Sequence, residues 1–452
     1  MLKMDDKPIT SWLNTTDGIH LFQTFDNLMH PRTILSDITT QVDYIWGASD
    51  HHIAAYRQSR QPGIKLSSCI PYNRDPHARG GSFPRETGIQ NYTAQGWESR
   101  ILFKCDRKTP AAHSYPDPAR VLVPLDITNP AVLEYQVGLA KVSQAAGYDA
   151  IGFDNYDVQN NQFSACGVWR NNSAGVRKWV QLYSGKESDH AYTQAAVDWL
   201  GRIKARVNAL ISQRGKPMMV IPNFSLGSQK WNDSVVLQVG NNTDGILTES
   251  GFTGAGGGTS QTGPHGPHYV GSEWVQRVLF MRNLQAHGKA YFSNNEYGDY
   301  HHQNNDKLPC TQDSLNCIGK TIRQWILASY LMGKDQAAAV FICGIGAYGN
   351  LTMYPEYSAR VGSPLGSPAD VGGFWQRNYT KALVLVNPTV NQTLSARLDD
   401  TWSFMDLYGA AVTEPAITLG PVSAQILLRQ RKPLKTDAVS NAPTSNAPTK
   451  GC

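Results

Sequence analysis

No apolar run in this chain approaches the ~18 residues that a membrane-spanning helix needs. The opening Met1-Leu-Lys-Met-Asp-Asp-Lys7 also lacks the apolar centre of a signal peptide. A soluble chain with no membrane partner is expected, with no export signal in the stretch given. Charge is scarce as well: Asp, Glu, Lys and Arg make up 17% of 452 residues, against a usual ~25%. The formal net charge of +5 is dispersed apart from Arg429-Gln-Arg-Lys-Pro-Leu-Lys435. That run reads as a solvated surface segment, so no nucleic-acid partner is expected.

Cysteine is sparse. Seven are scattered, at 69, 105, 166, 310, 317, 343 and 452, and none forms a Cys-x-x-Cys pair. This excludes a disulfide framework and the usual zinc-binding spacings. Cys310 and Cys317, flanking a polar loop, are the one plausible local disulfide. Gly-x-Ser-x-Gly and His-Glu-x-x-His are missing, which removes the serine-hydrolase elbow and the zinc-protease helix. The glycines at 254–258 lack the Lys-Ser/Thr that completes a phosphate loop. His51-His52, His265, His268 and His301-His302 have no Cys or acid at ligand spacing, so no transition metal is expected. The nearest rival is calcium held by oxygens of Asp154, Asn155 and Asp157.

What the chain does have is Gly (40), Tyr (20), Trp (11) and abundant Asn, a composition suited to holding sugars by ring stacking and neutral hydrogen bonds. Short apolar runs recur at 18–25, 42–47, 64–70, 150–153, 218–222, 245–248, 289–293 and 338–343. Eight is the number of strands in a (β/α)8 barrel. Between several of them lie helical patterns. Asn129 caps the first, with Pro130 at its first position and Gly147 past its end. The second runs over 189–213, with Trp199, Ile203, Val207 and Ile211 on one face. The third and fourth run over 272–288 and 320–333. Helix alternating with strand predicts a parallel sheet with right-handed crossovers.

From about Lys381 the pattern changes to short strands separated by turns. The α/β chain therefore divides into a barrel over 1–380, with a polar insertion at about 75–121, and a small antiparallel β domain over 381–430. A disordered low-complexity tail is expected over 431–452.

The most informative segment is Asp149-Ala-Ile-Gly-Phe-Asp-Asn-Tyr-Asp157, an apolar strand that runs into acids. Thr243-Asp-Gly-Ile-Leu-Thr-Glu-Ser-Gly-Phe252 repeats the plan with one carboxylate, Glu249. Two strand-end acids facing each other suit glycoside hydrolysis, in which one protonates the leaving oxygen and the other meets the oxocarbenium-like centre or activates water. Asp154 is the candidate nucleophile or stabiliser. Glu249 is the candidate donor, with Ile246, Leu247 and Phe252 able to supply the apolar setting a donor needs. Glu296 competes for the second role. Asp26, Tyr72, Asn73, Asn155, Tyr156, Asp157 and Asn223 are candidate sugar contacts, and the Gly-rich stretch 251–259 reads as a mobile loop over the cleft.

At these two motifs the chain resembles barrel glycoside hydrolases whose fourth strand ends in Gly-Phe-Asp-Asn or Phe-Leu-Asp and whose sixth ends in Glu. It looks most like proteins related to the endo-α-1,4-polygalactosaminidase family, glycoside hydrolase family 114, over roughly Gly18 to Leu428. The resemblance includes the Ala-Leu-Val-Leu-Val-Asn-Pro segment at 382–388. It implies a (β/α)8 barrel, Asp154 and Glu249 as the acid pair, and cofactor-free cleavage of an α-linked polysaccharide. The long 75–121 segment and the Gly-rich loop depart from the family where subsites are shaped. The competing readings are a carbohydrate-binding barrel without catalysis and a polysaccharide lyase using a Tyr or His base. A polysaccharide substrate places the action outside the cell or at its surface, with the cytoplasm still open. The sequons at Asn14, Asn91, Asn232, Asn350, Asn378 and Asn391 matter only on a eukaryotic secretory route.

Overall fold

The computed structural model describes residues 19–24, 42–58, 63–72, 83–84, 98–111, 113–114, 120–122, 124–160, 164–227, 229–249, 251–253, 268–295, 319–335, 340–343 and 355–432. Among these, eight parallel strands form one sheet: β1 (Leu21–Thr24), β2 (Tyr44–Trp46), β3 (Lys65–Pro71), β4 (Ala150–Asp154), β5 (Met219–Pro222), β6 (Gly245–Thr248), β7 (Ala290–Ser293) and β8 (Val340–Cys343). Each falls within one of the eight apolar runs or overlaps it closely. Their order is β5-β4-β3-β2-β1-β8-β7-β6. The two terminal strands of that order also touch: the Asp244 amide donates to Val220 O (2.9 Å), the Phe224 amide to Leu247 O (2.8 Å), and Asn223 bridges Leu247 in parallel.

The sheet is strongly curled. On its inner face, Phe22, Tyr44, Trp46, Ala150, Ile221, Leu247, Ala290 and Phe292 form one buried cluster. The Tyr44 ring lies 4.6 Å from that of Phe292, and Trp46 Nε1 donates to Ile221 O at 3.2 Å. Both contacts join strands three positions apart in the order. Neighbouring strands are ~4.8 Å apart, so a flat sheet would hold these groups at about three times that spacing. The Trp46 indole needs the room that Gly152 leaves, because a Cβ there would lie 2.6 Å from it.

The outer face is covered by helices: α1 (Ile53–Gln58), α2 (Pro130–Ala146), α3 (His190–Asn208), α4 (Ser234–Asn241), α5 (Gly271–Ala286) and α6 (Gly319–Gly333). Asn129 caps α2, its Oδ1 accepting from the Ala131 amide at 3.0 Å, and Gly147 closes it at φ 103°. In α3, Trp199, Ile203 and Val207 are buried, whereas Ile211 lies past the helix end and is 50% exposed. The shorter α1 and α4 were not marked by the sequence pattern. Among the described residues no helix is long and apolar enough to cross a membrane.

A six-stranded antiparallel sheet follows, built from β9 (Ala369–Val371), β10 (Phe374–Asn378), β11 (Ala382–Asn387), β13 (Trp402–Met405), β14 (Ala411–Val412) and β16 (Ser423–Arg431). Beside it β12 (Leu394–Arg397) pairs with β15 (Ala416–Leu419). Its strands begin twelve residues before the expected Lys381 (Ala369), because Gly372 (φ 66°) and Gly373 (φ 102°) turn β9 into β10. Such a Gly-Gly pair is a hairpin signal. The tail beyond 432 and the expected pair Cys310–Cys317 lie outside the described residues. The disulfide that is described joins Cys105 to Cys166, with Cα atoms 5.0 Å apart.

Candidate active site

Side chains alternate between the two faces of a strand, and this places the key acids. In β4, Ile151 and Phe153 belong to the outer core and Ala150 to the inner cluster, so Gly152 and Asp154 lie on the inner side. In β5, Val220 is outer and Ile221 inner, so Asn223 follows on the inner side. In β6, Ile246 is outer and Leu247 inner, and Glu249 is the next inner position. Asp154, Asn223 and Glu249 thus stand at the carboxyl ends of three consecutive strands, on one side of the sheet.

Asn223 links the three. Its amide donates to Phe153 O (2.8 Å) and its Nδ2 to Asp154 Oδ1 (3.2 Å), while it bridges Leu247 of β6. An NH2 group can only donate, so it fixes that Asp154 oxygen as an acceptor. Asn155, at φ 54°, turns the chain sharply out of β4; Asn tolerates this left-handed conformation better than most residues.

A cleft of about 210 Å³ opens here, lined by Asn155–Gln159, Asn223–Gly227, Gln229 and Glu249. Its wall alternates amides, a hydroxyl and carboxylates with Tyr156, Phe224 and Leu226. A few fixed polar groups among apolar ones is the usual make-up of a small-molecule site. Asp157 stiffens the rim, its Oδ1 accepting from the Gln159 amide at 2.8 Å. Asp154 and Glu249 are both partly exposed.

Of the candidates read from sequence, Asn155, Tyr156, Asp157, Asn223 and Glu249 line this cleft, and Asp154 is tied to it through Asn223. Tyr72 does not reach the cleft. Its side chain is fully buried in the outer core, 4.9 Å from the Tyr156 ring and 4.7 Å from Trp199. Burial pushes the hydroxyl pKa of both tyrosines well up. A sugar contact through Tyr72 is therefore corrected to a packing role: Phe153, Tyr156, Trp199 and Tyr72 form an aromatic support behind the strand ends. Tyr156 touches the cleft but is only 3% exposed. Asp26, Asn73 and Glu296 lie outside the described residues, as does the Gly-rich loop beyond Thr253.

Gln159, Ser225 and Gln229 line the cleft and were not picked out from sequence. Their signal was position alone, since each lies in the stretch that follows β4 or β5. Among the described residues no three His, Cys, Asp or Glu side chains gather as a metal site. Asp154 Oδ1 accepts from the Asn223 side-chain amide and Asp157 Oδ1 from the Gln159 backbone amide.

No protein-family model and no curated protein matches the chain. Solved structures resemble it only distantly. The glycoside hydrolase domain of PelA from Pseudomonas aeruginosa overlaps 72% of this chain and 94% of its own at 10% identity, with a TM-score of 0.39. The trehalose-6-phosphate hydrolase of Bacillus licheniformis overlaps 94% and 100% at 8% identity, TM-score 0.48. A debranching enzyme of Nostoc punctiforme overlaps 92% and 98% at 12% identity, TM-score 0.43. All three scores lie below 0.5, so the chemistry is inferred from this chain's own residues.

Proposed function

We propose that the chain is a (β/α)8-barrel glycoside hydrolase that cleaves O-glycosidic bonds of a polysaccharide with Asp154 and Glu249. One observation carries this reading: two partly exposed carboxylates stand at inner positions on the strand ends flanking β5, and Asn223, which binds one of them, lines the same cleft as the other. The barrel itself rests on the eight-strand order and on the hydrogen bonds between β5 and β6.

Asp154, held as an acceptor by Asn223, meets the anomeric carbon as nucleophile or stabilising charge. Glu249 delivers the proton to the departing oxygen. The amides of Asn155, Gln159 and Gln229 supply donors and acceptors for sugar hydroxyls. Nothing in this scheme calls on a cofactor. Carboxyl groups about 5 to 5.5 Å apart retain anomeric configuration, and wider spacing inverts it.

The test is release of reducing ends from a panel of α- and β-linked polysaccharides, amino-sugar polymers included. Asp154→Asn and Glu249→Gln should each lower the rate by roughly 10²-fold or more with the fold intact. Undiminished activity in both variants would overturn the pair and turn attention to Glu296. Binding without cleavage by the wild type would favour the non-catalytic barrel, and unsaturated, ultraviolet-absorbing ends would favour the lyase.

A further inference from the structure

Two long excursions leave the carboxyl ends of β3 and β4, and they are fused to each other. From the β4 side comes an antiparallel hairpin, Gly167–Asn171 with Arg177–Gln181. From the β3 side comes the segment 98–111. The Phe103 amide donates to Gly167 O and the Cys166 amide to Phe103 O, both at 2.8 Å, and the Cys105–Cys166 disulfide lies alongside. The base of the hairpin is joined to the cleft. Gln159 lines the cleft, and the next residue, Asn160, exchanges two side-chain hydrogen bonds with Ala165, each 2.9 Å.

The hairpin carries paired Trp169 and Trp179 directly across from each other, ring centroids 5.5 Å apart. A guanidinium lies over each: Arg177 at 5.0 Å from the Trp169 centroid and Arg107 at 5.8 Å from that of Trp179. Trp169 Nε1 also donates to Arg107 O at 3.0 Å. Lys104 and Lys108 share the turn of Arg107, and all four cations are exposed. The single acid of that turn, Asp106, is engaged by the Thr109 hydroxyl and by the Thr109 and Lys108 amides, which hold its pKa down at about 2. In a chain with so little charge, this is a pronounced concentration of one sign.

We propose that this tryptophan–arginine hairpin is a binding site for an acidic polysaccharide, placed beside the cleft to receive a substrate chain bearing carboxylate or sulfate groups. The proposal rests on the hydrolase reading and names its substrate class. Stacking on indole fixes each guanidinium plane, so little side-chain entropy is left to lose when its N–H fork grips a carboxylate. The fused backbone and disulfide hold the two arginines in a constant relation. A polycationic glycan is repelled from the same surface.

The test uses the full chain carrying Asp154→Asn, so that binding is separated from cleavage, in native gels containing polygalacturonate, dextran or single-stranded DNA. Polygalacturonate should retard it and dextran should not, with retardation falling as salt rises. Adding R107Q and R177Q should weaken polygalacturonate binding about tenfold, while an unchanged near-ultraviolet circular dichroism band of the tryptophan pair shows the hairpin intact. The pair K104Q with K108Q, which leaves the indole stacking untouched, should weaken it about threefold. Retention unchanged in both double variants, or DNA held as tightly as polygalacturonate, would overturn the site. A protein that hydrolyses a neutral glycan but ignores polygalacturonate would keep the hydrolase and lose the site. One that binds polygalacturonate but cleaves nothing would do the reverse.

Discussion

At the scale of the residue, Asn223 is the most consequential side chain around the acids. The sequence marked it as a sugar contact because it follows a strand. The structure gives it a prior task, tying Asp154 to β5 through a donor that cannot accept. Asn223→Ala should lower kcat roughly tenfold to a hundredfold through loss of positioning. Asn223→Asp, which sets a second carboxylate against the first, should be worse than alanine. Equal activity of all three forms in a reducing-end assay would remove Asn223 from the site. Tyr72 shows the opposite error. Its sequence context, Tyr-Asn-Arg-Asp, is polar, yet the ring turns into the core, and one residue of register decides which face a strand-end side chain takes.

At the scale of the element, the β4 motif was readable because a short apolar run ends abruptly in acids; the structure adds that Ile151 and Phe153 face outward and Ala150 inward. Why position 152 is glycine was not readable, since the reason is the Trp46 indole, more than a hundred residues away in sequence. Gly152→Ala should destabilise by ~1–3 kcal/mol as an overpacking change, seen as a lower denaturant midpoint with an unaltered slope. Helix α3 offers a second check. Asp189 caps it, accepting from the Tyr192 amide at 3.0 Å and from the Ser184 hydroxyl and amide. Burial alone raises the Asp189 carboxyl, but these donors outweigh it and hold the group below its ordinary 3.8. Asp189→Ala should therefore cost ~1 kcal/mol near neutral pH. With the folded pKa depressed, the contribution is full above the unfolded value and fades as pH falls below it. The two thermal midpoints should converge in acid, and a constant gap would refute the charged cap. The helices missed in the sequence, α1 and α4, span only six and eight residues, too short for a 3.6-residue period to show.

At the scale of the whole molecule, α6 is held by the antiparallel sheet that follows it. Arg377 of β10 is 2% exposed, and its Nη1 donates to Leu331 O and Met332 O, both 3.0 Å, and to Lys334 O. Tyr379 donates to Leu331 O at 2.5 Å. These are carbonyls at the end of α6 that the helix itself cannot satisfy. Nearby, buried Glu356 accepts from Arg323 Nε of α6 (3.0 Å) and from the Tyr408 hydroxyl (2.7 Å). Arg377→Met keeps the apolar bulk but strips the donors, and should cost about 3 kcal/mol. Calorimetry should show one cooperative transition shifted downward; an unshifted transition would mean that solvent satisfies those carbonyls. The sequence announced a small β unit from its Leu-Val-Leu-Val strand, but the arginine joining it to α6 gave no sign, because isolated cations usually lie on surfaces.

The sequence by itself determined the eight strands of the parallel sheet, the main helices with the cap of the first, and the two acids at strand ends, because period, capping and chain punctuation are local properties. Only the tertiary structure decided that Asp154, Asn223 and Glu249 share one side, that Tyr72 belongs to the core, and that Cys105 meets Cys166. Those facts depend on strand order, curl and register, which bring together residues far apart in the chain and leave no mark on a local pattern.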